Sequence, residues 1–169
     1  MIETIWGGEK APFVNQVIGD FVASRIWSDG RHFENYTSLG VVSHETLIAG
    51  VIYNNWSPET GVIEISGAGD SPKWLSRAVL YQMYEYPFEQ LGCRMVIQRN
   101  SEHNERINSI LRRLGFQEYR IEQMRGPDEA ELIFTLTKEQ WKKTKYYKEL
   151  SHGNSSAQNT DIANFGDCE

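Results

Sequence analysis

The spacing of apolar residues divides the chain into segments with helical and strand-like periods. After Pro12, apolar side chains recur every three or four residues, which predicts an amphipathic helix. A short strand is expected before it, at residues 2–6, because Gly7 and Gly8 interrupt the apolar run. Three β-rich runs separated by turn residues come after this helix, and they predict antiparallel strands at 39–43, 47–53 and 61–65.

The stretch from Ser66 to Phe116 carries the clearest pattern in the chain. Ser71 followed by Pro72 predicts a helix N-cap with proline at the first helical position. We expect this helix to stop at Gly92, with a kink or an early end at Pro87. Its predicted buried face is one stripe of apolar residues at helical spacing: Leu80, Met83, Tyr84, Pro87, Phe88 and Leu91.

The second half of that stretch predicts a strand and another helix. Residues 95–97 form a short apolar run typical of a strand covered on both faces. Residues 107–114 show a helical apolar stripe, and Gly115 can take the left-handed position that ends a helix. Two further strands are predicted at 118–124 and 130–136, followed by a polar helical segment at 138–150.

Composition limits the possible classes of protein. At 169 residues, we expect one domain over 1–150 and a disordered acidic tail over 151–169, because the tail is rich in small polar residues and lacks lysine and arginine. The net charge of −6 argues against broad nucleic-acid binding. No apolar run reaches membrane-spanning length and the N-terminus has no signal-peptide pattern, which predicts a cytoplasmic protein. Cys93 and Cys168 make neither a disulfide framework nor a metal site.

Several short motifs occur in an order similar to that of the GNAT superfamily of N-acetyltransferases. Residues 85–96 read EYPFEQLGCRMV, and Asn104 stands twelve residues before the Phe of Leu114-Gly115-Phe116. These motifs resemble the subfamily that acetylates ribosomal proteins, and PKWLSR at 72–77 resembles a variant found in proteins of bacteriophages and some bacteria. The resemblance implies an α/β (α+β) fold with a mixed, mostly antiparallel sheet of six to seven strands flanked by helices.

The resemblance also implies acetyl-CoA as the acyl donor. In the family, a glycine-containing loop before a helix holds the cofactor diphosphate with backbone amides and the helix dipole. Here Pro72 and Trp74 stand where small residues belong, with Gly67 and Gly69 just upstream as alternative sources of flexibility. The residues that the resemblance assigns to the cofactor are Ile65, Ser66, Ser71, Lys73, Trp74 and Asn104.

Two of these assignments have a structural alternative. Trp74 either walls the cofactor slot or is a core residue facing Phe88. Asn104 either contacts coenzyme A or is an ordinary polar residue at a helix start.

The catalytic candidates follow from the same resemblance. Glu64 on the fourth strand is the candidate base, with an outward-facing strand residue as its alternative. Leu111 stands where many members have a tyrosine acid, so Tyr119 and Tyr53 are reserve candidates. Either the thiolate departs without a dedicated acid, or the protein transfers poorly.

The predicted partners are acetyl-CoA and a primary amine of a protein or small molecule. No nucleic acid or membrane partner is expected, whereas a homodimer is compatible with the fold. The competing hypothesis is a non-catalytic CoA-binding or interaction module on the same scaffold. It is favoured by the altered loop at Pro72 and Trp74 and by the apolar Leu111.

Overall fold

The computed structural model describes residues 1–151, which form a seven-stranded sheet in the order β1-β2-β3-β4-β5-β7-β6. Helices lie on both faces of this sheet. The predicted α/β class and mostly antiparallel sheet are confirmed, and so is the predicted order of the elements. The strands are β1 (Ile2–Gly7), β2 (Thr37–Ser43), β3 (Thr46–Ser57), β4 (Val62–Gly69), β5 (Met95–Ser101), β6 (Gln117–Gly126) and β7 (Glu129–Thr137). The helices are α1 (Pro12–Ile26), α2 (Arg77–Glu85), α3 (Glu105–Arg113), α4 (Lys138–Lys142) and α5 (Lys145–Ser151).

Strands β1 to β4 form an antiparallel meander that carries α1 on one face. Ile18 and Val22 of α1 are fully buried and pack in one cluster with Ile52 of β3. The opposite face carries the larger core, to which α2, α3, α4 and α5 contribute. Because side chains alternate between the faces of a strand, Val51 and Tyr53 flank Ile52 on the side of the larger core.

The helix predicted from Ser71 begins later than expected, and this prediction was wrong at its N-terminus. Ser71 caps a short 3-10 helix, Pro72–Trp74, by accepting a hydrogen bond from the backbone N–H of Lys73 at 3.2 Å. The α-helix α2 starts at Arg77, and Ser76 is its N-cap. Burial of the Trp74 side chain against β4 holds the 3-10 turn on the sheet, so the chain must turn again before α2 can start.

The predicted signals at the ends of the helices are largely confirmed. A π-helical turn, Tyr86–Gln90, contains Pro87 and follows α2, and Gly92 adopts a left-handed φ of 73°. Gly115 has a φ of 91° just after α3. The polar segment after β7 forms two short helices, of which α4 begins with a capping box formed by Thr137 and Gln140.

The predicted tail lies almost entirely outside the described residues, since α5 ends at Ser151 and the description stops there. Among the helices that the structure describes, none combines the length and the apolar character needed to cross a membrane.

Candidate functional site

Strands β4 and β5 separate from each other halfway along their length. They pair in parallel at three positions only, from Val62 opposite Met95 to Glu64 opposite Ile97. Beyond these positions β4 continues to Gly69 paired with β3, and β5 continues to Ser101 paired with β7. In the described part of the chain, the β4 peptide groups that point toward β5 after Glu64 therefore have no partner strand.

A cleft of about 1020 Å³ opens at this divergence. This volume is at the upper end of the range for small-molecule sites, roughly 300–1,000 Å³. The wall formed by the Pro72–Trp74 turn and α3 includes the apolar side chains of Trp74, Leu75, Ile107 and Ile110, and we call it the apolar wall. The opposite face of the sheet contributes charged side chains: Glu64, Arg99, Arg125 and Glu131.

Trp74 forms one wall of the cleft. Its side chain is 7% exposed and belongs to the larger core, so the residue both lines the cleft and packs inside the protein. It does not pair with Phe88, whose ring stacks on Trp141 at 5.2 Å. The indole instead covers Gly67 and Gly69 of β4. Gly69 therefore makes room for the tryptophan, and both glycines belong to the strand rather than to a flexible loop.

The other predicted cofactor residues divide into two groups. Ile65, Ser66, Ser71 and Asn104 line the cleft, whereas Lys73 is exposed and is not part of its lining. Asn104 occupies the N-cap position of α3, but its side chain makes no capping hydrogen bond. The Asn104 amide is therefore available to a ligand, unlike the side chain of a normal helix cap.

Glu64 is the last residue of β4 that pairs with β5, and its half-buried side chain lines the cleft. Its Oε2 accepts a hydrogen bond from Nδ2 of Asn55 at 2.9 Å. The side chain is therefore fixed from the β3 side, and Oε1 receives no bond from this amide. This position suits a carboxylate that accepts a proton from a bound amine.

A group of three charged residues completes the charged wall. Glu131 of β7 has a side chain that is only 4% exposed, and it accepts hydrogen bonds from two arginines. Arg99 Nη2 lies 2.7 Å from Oε2, and Arg125 Nη1 lies 3.1 Å from Oε1. The hydrogen bond to Glu131 is the main reason why the pKa of Arg99 is raised above its ordinary value. A buried carboxylate held between two arginines satisfies both oxygens and fixes the guanidinium groups.

These charged residues were missed in the sequence, although a signal was present. Glu131 interrupts the apolar run of its strand, and a charged residue at such a position is rarely buried without partners. Arg99 is two positions beyond Ile97 and shares its sheet face by the alternation of a strand. What the sequence could not provide was the register that places these residues together.

Two buried amide groups in the cleft walls lack hydrogen-bond partners. Oε1 of Gln98 and Nδ2 of Asn100 are buried without a partner, although both residues line the cleft. A buried polar atom left unsatisfied costs about 1–3 kcal/mol, so such atoms frequently mark a ligand or a water site. Both residues lie on the β5 segment that has separated from β4.

The candidate acids are not in the cleft. Tyr119 lies on β6 with 54% of its surface exposed and is not part of the cleft lining, so the structure does not bring it to the other site residues. Leu111 is buried and borders a smaller inner cavity of about 40 Å³ behind Gln98. Tyr84 also borders that cavity, and its buried hydroxyl has no partner.

The protein is similar to known proteins in its structure rather than in its sequence. No protein-family model matches the sequence, and no curated protein sequence matches it significantly. Mutant forms of the spermidine/spermine N-acetyltransferase SpeG from Vibrio cholerae align with a TM-score of 0.62 at 10% identity, covering 83% of this chain and 97% of SpeG. A GCN5-related N-acetyltransferase from Brucella melitensis aligns with a TM-score of 0.56 at 17% identity, covering 70% of this chain and 57% of that protein.

A ribosomal-protein-S5-alanine acetyltransferase from Vibrio fischeri aligns with a TM-score of 0.54 at 16% identity, covering 63% of each chain. The chain also spans 64% of the length of a protein titled probable acetyltransferase and 60% of the length of one titled putative acetyltransferase. At these identities the likeness concerns the fold. The strand order, the divergence of β4 from β5 and these alignments together show that the protein has the fold of the GNAT acetyltransferases.

Proposed function

We propose that the protein transfers an acetyl group from acetyl-CoA to a primary amine. The observation that carries this proposal is the separation of β4 from β5 after Glu64, which opens a cleft between an apolar wall and a charged wall. A long thioester donor and a small polar acceptor could then meet from opposite faces of one sheet.

The apolar half of the cleft suits the donor. The β4 peptide groups that point toward β5 after Glu64 have no partner strand, and such groups pair well with the amides of an extended ligand. Trp74 and Asn104 border the same space, and Ser71 lies at its edge. Arg106 also lines the cleft and forms no ion pair among the described residues, so its charge is available to a phosphate. Acetyl-CoA, when bound, supplies an acyl group activated as a thioester.

The charged half of the cleft suits the acceptor. An ammonium group must lose a proton before its nitrogen can attack the carbonyl carbon, and Glu64 is the carboxylate at the divergence. The nitrogen–carbon bond forms as the carbon–sulfur bond breaks. Of the two protons that the ammonium nitrogen loses, one passes to Glu64 directly or through water and the other passes to solvent. A β4 backbone N–H near Ile65 is the available donor to the carbonyl oxygen. With Leu111 in place of a hydroxyl, the sulfur departs as the thiolate.

Two measurements test this function. Calorimetric titration with acetyl-CoA should show saturable binding, and absence of heat at millimolar cofactor would refute the proposed site. Glu64→Gln should lower the rate of thiol release by about 100-fold or more, because general base catalysis contributes 10²–10⁴-fold. It should leave the affinity for acetyl-CoA unchanged.

The matched control is Glu122→Gln on β6, where the glutamate side chain is 73% exposed and outside the cleft. This variant should keep the turnover of the unmodified protein. If Glu64→Gln and Glu122→Gln have the same turnover, Glu64 is not the base.

The second candidate function is a CoA-binding module without catalysis. The apolar Leu111 beside the inner cavity and the exposed Tyr119 favour it, because neither supplies an acid at the cleft. Saturable binding of acetyl-CoA without thiol release, for any amine in a broad panel, would support this candidate over the enzyme.

A further inference from the structure

Glu64 and Arg99 face the same part of the cleft but form no ion pair with each other among the described contacts. Glu64 pairs with Ile97 across the two strands, and Arg99 lies two residues farther along β5 on the same sheet face. From the strand spacing and the rise per residue, their Cα atoms would be about 8 Å apart in a regular sheet, and the divergence increases this separation. A carboxylate and a guanidinium therefore stand on opposite sides of a gap.

Each of the two side chains is held away from the other. Asn55 of β3 bonds one oxygen of Glu64, whereas Glu131 of β7 bonds one nitrogen of Arg99. The charge of Glu64 nevertheless contributes to raising the pKa of Arg99, after the larger effect of Glu131. Each group thus keeps hydrogen-bonding capacity toward the gap, since a guanidinium has five N–H donors and a carboxylate accepts several bonds.

The other charges at this side of the cleft do not favour a polycation. Arg25 in the last turn of α1 and Arg31 in the loop that follows this helix line the cleft, and Arg125 shares Glu131 with Arg99. Arg25 is paired with Asp70 at 2.8 Å, and Arg125 also lies 3.4 Å from Glu129. A bound polyamine would lie near these guanidinium groups, and Glu64 is the cleft carboxylate that pairs with no arginine among the described residues. The likeness to a spermidine/spermine acetyltransferase concerns the fold alone.

We propose that the acceptor is a free α-amino acid or a similar small zwitterion, with its ammonium at Glu64 and its carboxylate at Arg99. This inference rests on the proposed acetyl transfer and names its substrate class. In the reaction, the acceptor nitrogen loses two protons, one to Glu64 and one to solvent, and forms the bond to the acetyl carbon, while the carbon–sulfur bond of the thioester breaks. The products are an N-acetyl amino acid and coenzyme A.

Glu131 acts here as a positioning residue. It neutralises part of the charge of Arg99 and keeps the guanidinium on the β7 side of the gap. Replacing Arg99 by an amide removes the charge that recognises the carboxylate while leaving Arg125 as a partner of Glu131.

The experiment measures thiol release from acetyl-CoA with a panel of free α-amino acids, each beside its α-carboxamide, and with spermidine. The carboxamide keeps the amine and the shape but lacks the negative charge. At least one free amino acid should have a kcat/KM about tenfold or more above that of its amide, as expected for a charge-assisted hydrogen bond. Spermidine should be used less well than that amino acid.

Three arginine variants sharpen the test. Arg99→Gln should bring the acid-to-amide ratio of kcat/KM close to one, and Arg99→Lys should restore part of it. Arg120→Gln is the matched control, because Arg120 pairs with Glu102 and Glu122 and is not part of the cleft lining. Its ratio should equal that of the unmodified protein. Each ratio is internal to one variant, so a change in the folded fraction does not alter it.

The outcomes separate this inference from the proposed function. The inference of a zwitterionic acceptor would be refuted, with acetyl transfer unaffected, by either of two results. One is a kcat/KM for the amides or for spermidine equal to that for the free acids, and the other is an unchanged acid-to-amide ratio in Arg99→Gln. Acetylation of amines other than amino acids, with every free amino acid inactive, would do the same. Absence of acetyl-CoA binding would overturn the proposed function itself, and the inference with it.

Discussion

Replacing Gly69 by alanine tests whether Trp74 is fixed as a wall of the cleft. An added Cβ at Gly69 would lie 2.9 Å from Cβ of Ala49, and the Nε1 and Cδ1 atoms of Trp74 would be closer still. Ordinary contacts between carbon atoms are about 3.5–4.0 Å. The indole is 7% exposed and belongs to the core, so it cannot move aside into solvent without losing its packing.

The expected loss of stability follows from two opposing effects. Overpacking of this kind costs about 1–3 kcal/mol, whereas replacing glycine by alanine gains about 0.4–1 kcal/mol by restricting the unfolded chain. Gly69→Ala should therefore destabilise the protein by about 1.3 kcal/mol, with an upper bound of about 2.6 kcal/mol. Gly67→Ala is the matched control on the same strand face, because its Cβ would meet nothing nearer than Gly50 O at 3.5 Å. This control should be neutral or slightly stabilising.

Urea unfolding followed by circular dichroism measures both variants. With a slope of about 2 kcal/mol/M, the two midpoints should differ by about 1 M. In a Trp74→Phe background the cost of Gly69→Ala should fall by about 1 kcal/mol, since the five-membered ring of the indole is absent. Equal midpoints for the two alanine variants, or the same cost of Gly69→Ala in both backgrounds, would refute the assigned position of Trp74.

Two further results are expected from buried tyrosines and from a surface ion pair. Tyr53→Phe should destabilise the protein by about 1 kcal/mol, because the buried Tyr53 hydroxyl donates a hydrogen bond to Met83 O at 2.8 Å. Tyr84→Phe should be neutral or stabilising, because the buried Tyr84 hydroxyl has no partner. A larger loss of stability for Tyr84→Phe than for Tyr53→Phe in urea unfolding would contradict this expectation. The hydrogen bond from Arg112 lowers the pKa of Glu118, so its stabilising effect is present above the unfolded pKa near 4.5 and is lost as pH falls through the folded value. Stability measured from pH 6 to pH 3 should therefore fall less steeply in Glu118→Gln, and identical acid slopes would refute the contribution.

Local patterns were sufficient for most of the secondary structure. The helical stripe before Gly115 and the apolar run at 95–97 predicted α3 and β5, because periodic burial and glycine caps depend on neighbouring residues alone. The start of α2 was wrong because Ser71 and Pro72 form a start signal that also fits a 3-10 turn. Which of the two forms is decided by where Trp74 is buried, and this is a contact with a distant strand.

The candidate site residues also divide into those that the sequence placed correctly and those that it did not. Glu64, Ile65, Ser66, Ser71, Trp74 and Asn104 were named from motifs, and the structure places them around one cleft. Tyr119 and Lys73 were named in the same way and lie outside its lining. Motif spacing assigns a residue to a segment, but it does not show which way that segment faces.

The sequence by itself determined the order of the elements, most of their boundaries and the resemblance to acetyltransferases, since these depend on periodicity and short-range spacing. The tertiary structure alone decided that β4 and β5 separate after Glu64, that Trp74 covers Gly69, and that Arg99 is held by Glu131. These features are contacts between segments far apart in the chain, and their geometry follows from strand register and packing. The charged wall of the cleft belongs to this second group.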